Sequence, residues 1–481
     1  MSGLWTGDEL VEAMQARPVG NVPETVTGIS IDTRTLQQGE AFFAIKGEQF
    51  DGHDYVGAAQ KAGASIAVIA EEKLVALGRL HIPLLVVSDV LEAMRKLARA
   101  ARARTSAKII AVTGSVGKTS TKEMLRLALA SCGSVHASAA SFNNHWGVPL
   151  TLARMPRDCD FGVFEIGMNH AGEITPLVAM VRPHVAMITN VAAAHLGSFD
   201  SIDGIAHAKA EIFTGLVEDG TGLINRDDKR QALLGELAEK AGVRDIRHFG
   251  TGTGCQYRAT RIRELPDSSV VEARIGDVPV TYTIGAPGGH LVLNSLAVLA
   301  ACQLAGADVA KCAGRMAQVV PEKGRGRRHV LGLKKGTATL IDESYNANPA
   351  SMEAALKVLA AADTGSSGRR IAVLGDMLEL GSSSRKLHAA LKKPIQKAGV
   401  DKLWVVGSEM QALAKAADPS LLAGHFNSVA ELAGPLAASI GDGDVIMVKA
   451  SNGLRFSGLV ETLLQQFQEP VPAKPAGAGQ G

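Results

Sequence analysis

Lys118 and Thr119 stand near the end of the octapeptide Thr113-Gly114-Ser115-Val116-Gly117-Lys118-Thr119-Ser120, and that combination of small, cationic and hydroxyl residues is suited to gripping phosphate. The two glycines let backbone N–H groups turn inward without Cβ clashes, and a helix N-terminus behind them adds positive potential. A lysine at position 118 can span the β- and γ-phosphates, and a threonine at 119 can offer an oxygen to Mg²⁺. The octapeptide follows the apolar run 108–112 and leads into the helical pattern 122–128. Strand, glycine loop and helix therefore come in the order that a nucleoside triphosphate cradle needs. The longer form G-x-x-x-x-G-K-[ST] would need glycine at position 112, where this chain has Val112; what remains is the shorter T-G-S-x-G-K-T. The loop names a ligand, a nucleoside triphosphate with its metal, and not a reaction.

Further side chains stand where such a loop could use them. Glu165 closes the apolar strand pattern 161–166 and precedes Gly167-Met168-Asn169-His170. It is either a metal-ligating carboxylate at a sheet edge or a strand-end carboxylate bonded to backbone. His195, after the strand ending Thr189-Asn190, is either a neighbour of that metal or a loop histidine. Lys209, among small and apolar residues in His207-Ala208-Lys209-Ala210-Glu211-Ile212-Phe213, either snorkels to solvent or faces the site with a lowered pKa and reacts with CO₂. Arg325-Gly326-Arg327-Arg328 is the densest basic cluster, a solvated loop or an anion contact in a cleft.

The elements that must position these residues alternate in type. Residues 1–105 mix short strands, 28–32 and 41–45, with a helix over 91–104. From residue 106 to 320, apolar strands at 108–112, 161–166, 185–189 and 222–225 alternate with helices, which predicts a parallel sheet covered on both faces and active at its carboxyl edge. From 321 to 469 the alternation restarts with strands at 338–342, 370–376, 403–407 and 445–448, a second doubly wound sheet. The fold class is α/β in three domains. The Pro- and Ala-rich segment 470–481 is expected to be a disordered tail.

Composition narrows the function classes. At 481 residues, with 46% hydrophobic and 20% charged residues and 52 glycines, the chain has the make-up of a large α/β enzyme. A net charge of +2 without basic–aromatic interleaving argues against a nucleic-acid partner. Five cysteines without C-x-x-C spacing argue against disulfides and structural zinc and for a reducing cytoplasm. Neither a leader in residues 1–9 nor an apolar span of about 18 residues is present, so no membrane span is expected.

Together the motifs resemble the Mur ligases of peptidoglycan synthesis. The resemblance rests on 113–120, on Asn143-Asn144 with Gly147-Val148-Pro149, on Glu165-Ile166-Gly167-Met168-Asn169, on Ala208-Lys209-Ala210-Glu211-Ile212, and on Asp342-Glu343-Ser344-Tyr345-Asn346-Ala347-Asn348-Pro349. Lys46-Gly47-Glu48 with Asp51-Gly52-His53-Asp54, and Leu374-Gly375-Asp376-Met377-Leu378-Glu379-Leu380-Gly381, are similar as well, so the resemblance runs from Asp32 to about Phe467. It implies an N-terminal domain that binds the UDP end of a substrate through Thr33, Arg34, Lys46 and Gly47, with Asn143 and Asn144 also toward substrate. It implies a central ATP-binding domain in which Thr119, Glu165, Lys209 and His195 serve two Mg²⁺ ions, Lys209 being carbamylated. A C-terminal Rossmann-like domain would bring Arg327, Asp342, Tyr345 and Asn346 to the nucleotide, and Asn294 would approach the adenine. Leu291 and Ala210 replace an Asn and a Gly that are common in the family.

The activity implied is ATP-dependent amide ligation through an acyl phosphate, with UDP-N-acetylmuramoyl-tripeptide and D-alanyl-D-alanine as substrates and a monomeric enzyme. Rival readings are a Mur-type ligase that adds a single amino acid, a folylpolyglutamate synthase-like ligase, and a nucleotide-hydrolysing switch. A D-N-P-R motif, expected of the diaminopimelate-adding member, is missing, and a folate enzyme would lack the first block.

Overall fold

Each of the three sequence blocks builds a sheet of its own. The computed structural model describes residues 3–468 apart from 79, 140, 195 and 366. His195 and the segment 470–481 lie outside the described residues.

In the N-terminal block, Ile66–Ala70 is apolar throughout and fully buried. It runs parallel to Ala41–Phe43 and Leu84–Val87 in a five-stranded sheet whose edges are Ile29–Ser30 and the antiparallel Arg17–Val19. The helix Val90–Ala103 begins where the Asp89 side chain accepts the Glu92 amide, an N-cap that satisfies one of the orphan donors of the first turn. Its stripe of Val90, Met94, Leu97 and Ala101 is buried against the sheet. Trp5 then ties this block to the next: its indole N–H donates to the Ala153 carbonyl at 2.8 Å, and the Arg104 guanidinium lies 3.2 Å from its ring centre.

The central sheet has nine strands, in the order Val278–Ile284, Ser269–Ile275, Tyr257–Glu264, Asp245–Gly250, Thr221–Asn225, Val185–Ile188, Lys108–Thr113, Phe161–Glu165 and Val135–Ala137. From Tyr257–Glu264 onward all pairs are parallel, as the apolar runs predict; the last three strands in sequence form an antiparallel meander. That meander escaped the sequence reading because Tyr257–Glu264 is largely exposed and carries charge, unlike a strand buried on both faces. One core on each face closes the layers, one under the helices Lys118–Leu129 and Gly289–Leu304, the other under Ile174–Val181 and Ile202–Ala210.

The third sheet has six strands, in the order Arg327–Gly332, Thr337–Glu343, Val445–Lys449, Arg370–Gly375, Lys402–Val406 and Leu422–Phe426. All pairs are parallel except the first, which is an antiparallel edge. Cores on both faces make it the second doubly wound unit. Among the described residues no helix is long and apolar enough to cross a membrane.

His184 sits at the entrance of the phosphate-loop strand, its Nδ1 accepting the Ile109 amide at 2.9 Å. Burial, with Arg102, Lys108 and Arg182 nearby, pushes its pKa from 6.5 down to about 4. The unfolded chain therefore takes up the proton first, so the stability His184 contributes is present above its ordinary value and is lost as pH falls toward 4. Urea midpoints at pH 7 and pH 5 should fall more in the wild type than in His184→Asn, whose amide oxygen can accept the same bond without titrating. Equal losses in both proteins would rule this histidine out as a source of acid sensitivity.

Candidate active site

Strand register decides which residues meet. Lys108–Thr113 lies between Phe161–Glu165 and Val185–Ile188, with Val112 opposite Glu165 and Thr113 opposite Ile188. Thr113, Glu165 and Thr189 thus emerge together at the carboxyl edge of the sheet. Val112 is fully buried in the ladder, so the position where a longer phosphate-loop motif carries glycine is here a packed strand residue.

The loop that follows is held from the neighbouring strand. Gly114 has φ +152°, and a Cβ there would come within 1.9 Å of Thr189 Oγ1; no side chain fits. Thr189 Oγ1 donates to the Val116 carbonyl at 2.7 Å, Asn190 Oδ1 accepts the Val116 amide at 3.0 Å, and Ser115 Oγ accepts the Ala192 amide at 2.9 Å. Gly117, at φ +88°, opens the helix Lys118–Leu129 and lies so near Asn294 that a Cβ would be 2.7 Å from its Nδ2. The sequence elements Thr113–Ser120 and Asn294, 174 positions apart at their closest, are thereby brought together.

Lys118 Nζ donates to the Gly114 carbonyl at 2.8 Å. Burial lowers its pKa, and Glu165 opposes that shift while Arg325 adds to it. Thr119 is buried, its hydroxyl 3.5 Å from Ser141 Oγ. Glu165 is 1% exposed; Oε1 accepts Asn143 Nδ2 at 2.7 Å, whereas Oε2 is buried without a partner. Lys209, on Ile202–Ala210, is 2% exposed, and its pKa is pushed well below the ordinary lysine value by burial and by the Lys118 charge. Among the described residues it has neither a hydrogen-bond acceptor nor a carboxylate partner. It does not snorkel.

The third domain faces this edge across a cavity of about 260 Å³. Residues 115–120, Asn143, Glu165 and Asn294 line one side; Gly324, Arg325, Glu343, Tyr345, Asn346 and Lys449 line the other. Ser141 joins the two, receiving the Tyr345 hydroxyl at 3.0 Å and Arg325 at 3.5 Å, with the Arg325 guanidinium stacked 3.8 Å from the Tyr345 ring centre. Lys449 is buried and donates to Glu343 Oε2 at 3.0 Å and to the Asn346 carbonyl at 2.9 Å. A charged residue at the end of an apolar strand is the signal that marked Glu165; the same signal in Val445–Lys449 would have marked Lys449.

Other candidates lie apart from the cavity. Asp342 is fully buried and accepts the Gly324 amide and the Ser344 amide and hydroxyl, so it shapes the loop bearing Tyr345 without lining the cavity. Of the basic cluster, Arg325 reaches the cavity, Arg327 is exposed on the edge strand opposite Asp342, and Arg328 pairs with Asp267 at 2.6 Å. Asn144 accepts the Gly147 amide and starts the helix Gly147–Ala153. Thr33, Arg34, Lys46 and Gly47 belong to the N-terminal domain surface. There Arg34 is engaged by Asp32 at 2.6 Å, and Gly47 closes a turn with Phe50.

The donor set fits a hard divalent cation. A buried carboxylate oxygen without a partner, beside a buried hydroxyl and at a helix N-terminus where phosphate would sit, is the oxygen-rich environment such an ion takes when it is shared with phosphates.

Three family models cover most of the chain: Mur ligase family, catalytic domain, over 25–102; Mur ligase middle domain over 112–302; and Mur ligase, glutamate ligase domain, over 326–452. The chain is 35% identical over 450 residues to the UDP-N-acetylmuramoyl-tripeptide–D-alanyl-D-alanine ligase of Escherichia coli, covering 92% of this chain and 94% of that one. It belongs to the Mur ligase family. The crystal structure of MurF from Acinetobacter baumannii superposes with a TM-score of 0.82 at 30% identity, covering 96% of this chain and 99% of that one. MurF ligase from Thermotoga maritima, solved in complex with ADP, gives 0.75 at 25% identity over 91% and 97%. The Mur ligase architecture of three α/β domains is thus present throughout.

Glu165→Gln keeps an oxygen for Asn143 and removes the unpaired buried charge. In metal-free buffer its melting temperature should stay near that of the wild type, because relief from desolvating a carboxylate oxygen without a partner is offset by loss of the charge that faces Lys118. The additional stabilisation by Mg²⁺-ATP over ATP alone, read by thermal shift, should disappear. Wild-type-like magnesium-dependent stabilisation in the variant would exclude Glu165 as the metal ligand.

Proposed function

We propose that the chain joins the terminal carboxylate of UDP-N-acetylmuramoyl-tripeptide to the amine of D-alanyl-D-alanine at the expense of ATP, in peptidoglycan precursor synthesis. The observation that carries this reading is the cavity in which a phosphate loop faces cationic and aromatic residues of a third domain, in a chain matching a ligase of that activity over nearly its whole length.

ATP enters with its phosphates on the backbone of 114–118. Lys118 turns from the Gly114 carbonyl to the β- and γ-phosphates, and Arg325, held over Tyr345, meets the γ-phosphoryl group from the opposite side. A neighbouring cavity of about 300 Å³ shares Ser120 and Arg325 with the first and is floored by Met124, Leu127, Leu291 and Pro321. It offers the base a slot with an apolar floor and a rim of Glu123, Arg126 and Glu322, while Asn294 lines the first cavity. Thr119 and Glu165 would hold Mg²⁺, and the family resemblance adds His195 to the ligand set; two such ions would neutralise charge on the transferring phosphoryl group. Lys209, buried and short of partners, has a lowered pKa that favours the neutral amine, the form that adds CO₂, and its carbamate would supply two further oxygens.

The acceptor carboxylate attacks the γ-phosphorus and ADP leaves. The amine then attacks the acyl carbon of the resulting acyl phosphate, phosphate leaves, and the amide forms. Such an anhydride hydrolyses in water, so the third domain has to close over it. In the N-terminal domain, Arg34 exchanges Asp32 for the pyrophosphate and Lys46-Gly47 contacts the nucleotide; Thr33 and Asn143-Asn144 line the path between. From the third domain Asn346 meets the nucleotide directly, Asp342 acts through the Tyr345 loop it shapes, and Arg327 would approach only as the domain closes. A monomer is proposed as the working unit, since residues of a single chain suffice to line both sides of the cavity. Free cysteines throughout suit a cytoplasmic enzyme.

Phosphate release against a panel of UDP-muramoyl peptides should require both the tripeptide and D-alanyl-D-alanine. Faster turnover with a single amino acid would favour another Mur-type ligase, and release without an acceptor would favour a hydrolytic switch. Lys209→Arg should lose about 100-fold in turnover or more, because guanidinium keeps the charge but forms no carbamate. A fully active Lys209→Arg enzyme would sink the carbamate.

A further inference from the structure

Cys132, Cys302 and Cys312 lie on different elements, yet the fold gathers them at the far end of the phosphate-loop helix. Cys132 follows Lys118–Leu129, Cys302 is on Gly289–Leu304 and Cys312 is on Val309–Arg315. The Cys132 and Cys312 sulfurs are 3.8 Å apart, and Cys312 also approaches the Ala128 carbonyl at 3.6 Å. Cys302 and Cys312 are fully buried, whereas Cys132 is partly open to solvent. Among the described residues no three His, Cys, Asp or Glu side chains have a metal-binding arrangement. The sulfurs are placed to react with one another.

Two properties separate this pair from packed thiols in general. One partner can be reached from solvent and the other cannot, which fixes the order of attack. The buried partner is also held acidic: hydrogen bonds from Cys302, Cys132 and Ser131 bring Cys312 down to about 7 although burial opposes them. A thiol with that value is a competent resolving nucleophile near neutral pH.

We propose that Cys132 and Cys312 form a reversible disulfide when a hydroperoxide reaches Cys132. The Cys132 thiolate attacks the peroxide oxygen, the O–O bond breaks, and an alcohol leaves after protonation, giving a sulfenic acid. The Cys312 thiolate attacks that sulfur, an S–S bond forms, the S–O bond breaks and water leaves. In sum, two thiols and one hydroperoxide give one disulfide, one alcohol and one water. The cross-link joins positions 180 residues apart, and closing so long a loop restricts the unfolded chain strongly. It acts as a staple on the nucleotide-binding domain under oxidative stress, and a thiol reductant removes it. The expectation of no disulfides, drawn from the odd number of cysteines and their spacing, then holds for the reduced protein only.

The test uses the full chain treated with a few equivalents of hydrogen peroxide, then alkylated and mapped by peptide mass spectrometry. Two of the five thiols should be lost to a Cys132–Cys312 cross-link, and the melting temperature should rise and return with dithiothreitol. Because Cys312 and Cys302 are buried, the informative variant is Cys132→Ser at the partly exposed position, which should show neither cross-link nor shift. Five free thiols after treatment, sulfinic acid at Cys132 without a cross-link, a bond from Cys132 to Cys302, or a dimer through Cys132 would each overturn the proposal.

Discussion

The grip of Thr189 and Asn190 on the phosphate loop is the interaction on which the site depends. A run of backbone with two left-handed or near-extended glycines has no side chains of its own to fix it, and left alone it would sample many shapes. Here the neighbouring strand does the fixing: Thr189 holds the Val116 carbonyl, Asn190 the Val116 amide, and Ala192 the Ser115 hydroxyl. Asn225, one strand further on, accepts the task of orienting Thr189 by donating to its carbonyl at 2.9 Å. The geometry of the loop is therefore inherited from the parallel register of three strands. Anything that slipped that register by one residue would turn Glu165 and Thr113 away from the edge together.

Charge explains why this edge waits for an anion. Burial and the Lys118 charge depress Lys209, burial and Arg325 depress Lys118, and the opposing carboxylate, Glu165, has one oxygen without a partner. Cations crowded in a poorly hydrated cleft cost stability unless something negative joins them. Triphosphate, and a carbamate on Lys209, would both relieve that cost. Among the described residues, hydrogen bonds tie the third domain to the central one from Tyr345 and Arg325 to Ser141, between Arg328 and Asp267, and from the Gly197 amide to the Glu379 carbonyl. These contacts are polar, which suits a domain that must release product.

Much of this was legible in the sequence because the chemistry is local there. The phosphate loop, its strand and its helix are contiguous, and Glu165 is flagged by charge at the end of an apolar run. The alternation of apolar strands and helices likewise gave the second and third sheets. What was not legible depends on the fold. The burial of Lys209 follows from a core beneath Ile202–Ala210 that no helical periodicity reveals, since its neighbours are alanines compatible with either face. Ser141, a serine without motif, matters only because two domains converge on it. The resemblance points to Arg327, yet the turn at Gly324 and Gly326 sends Arg325 to the cavity and leaves Arg327 on the exposed edge strand. The meander 257–284 was missed because its strands are half-exposed and charged.

The central claim is that the phosphate loop and third domain activate a carboxylate by phosphorylating it. The most direct measurement is oxygen transfer: supply UDP-N-acetylmuramoyl-tripeptide labelled with ¹⁸O in its terminal carboxylate, together with ATP and D-alanyl-D-alanine, and analyse the phosphate released. An acyl phosphate requires one labelled oxygen to pass from carboxylate to phosphate in each turnover. Unlabelled phosphate accompanying amide formation would contradict the account.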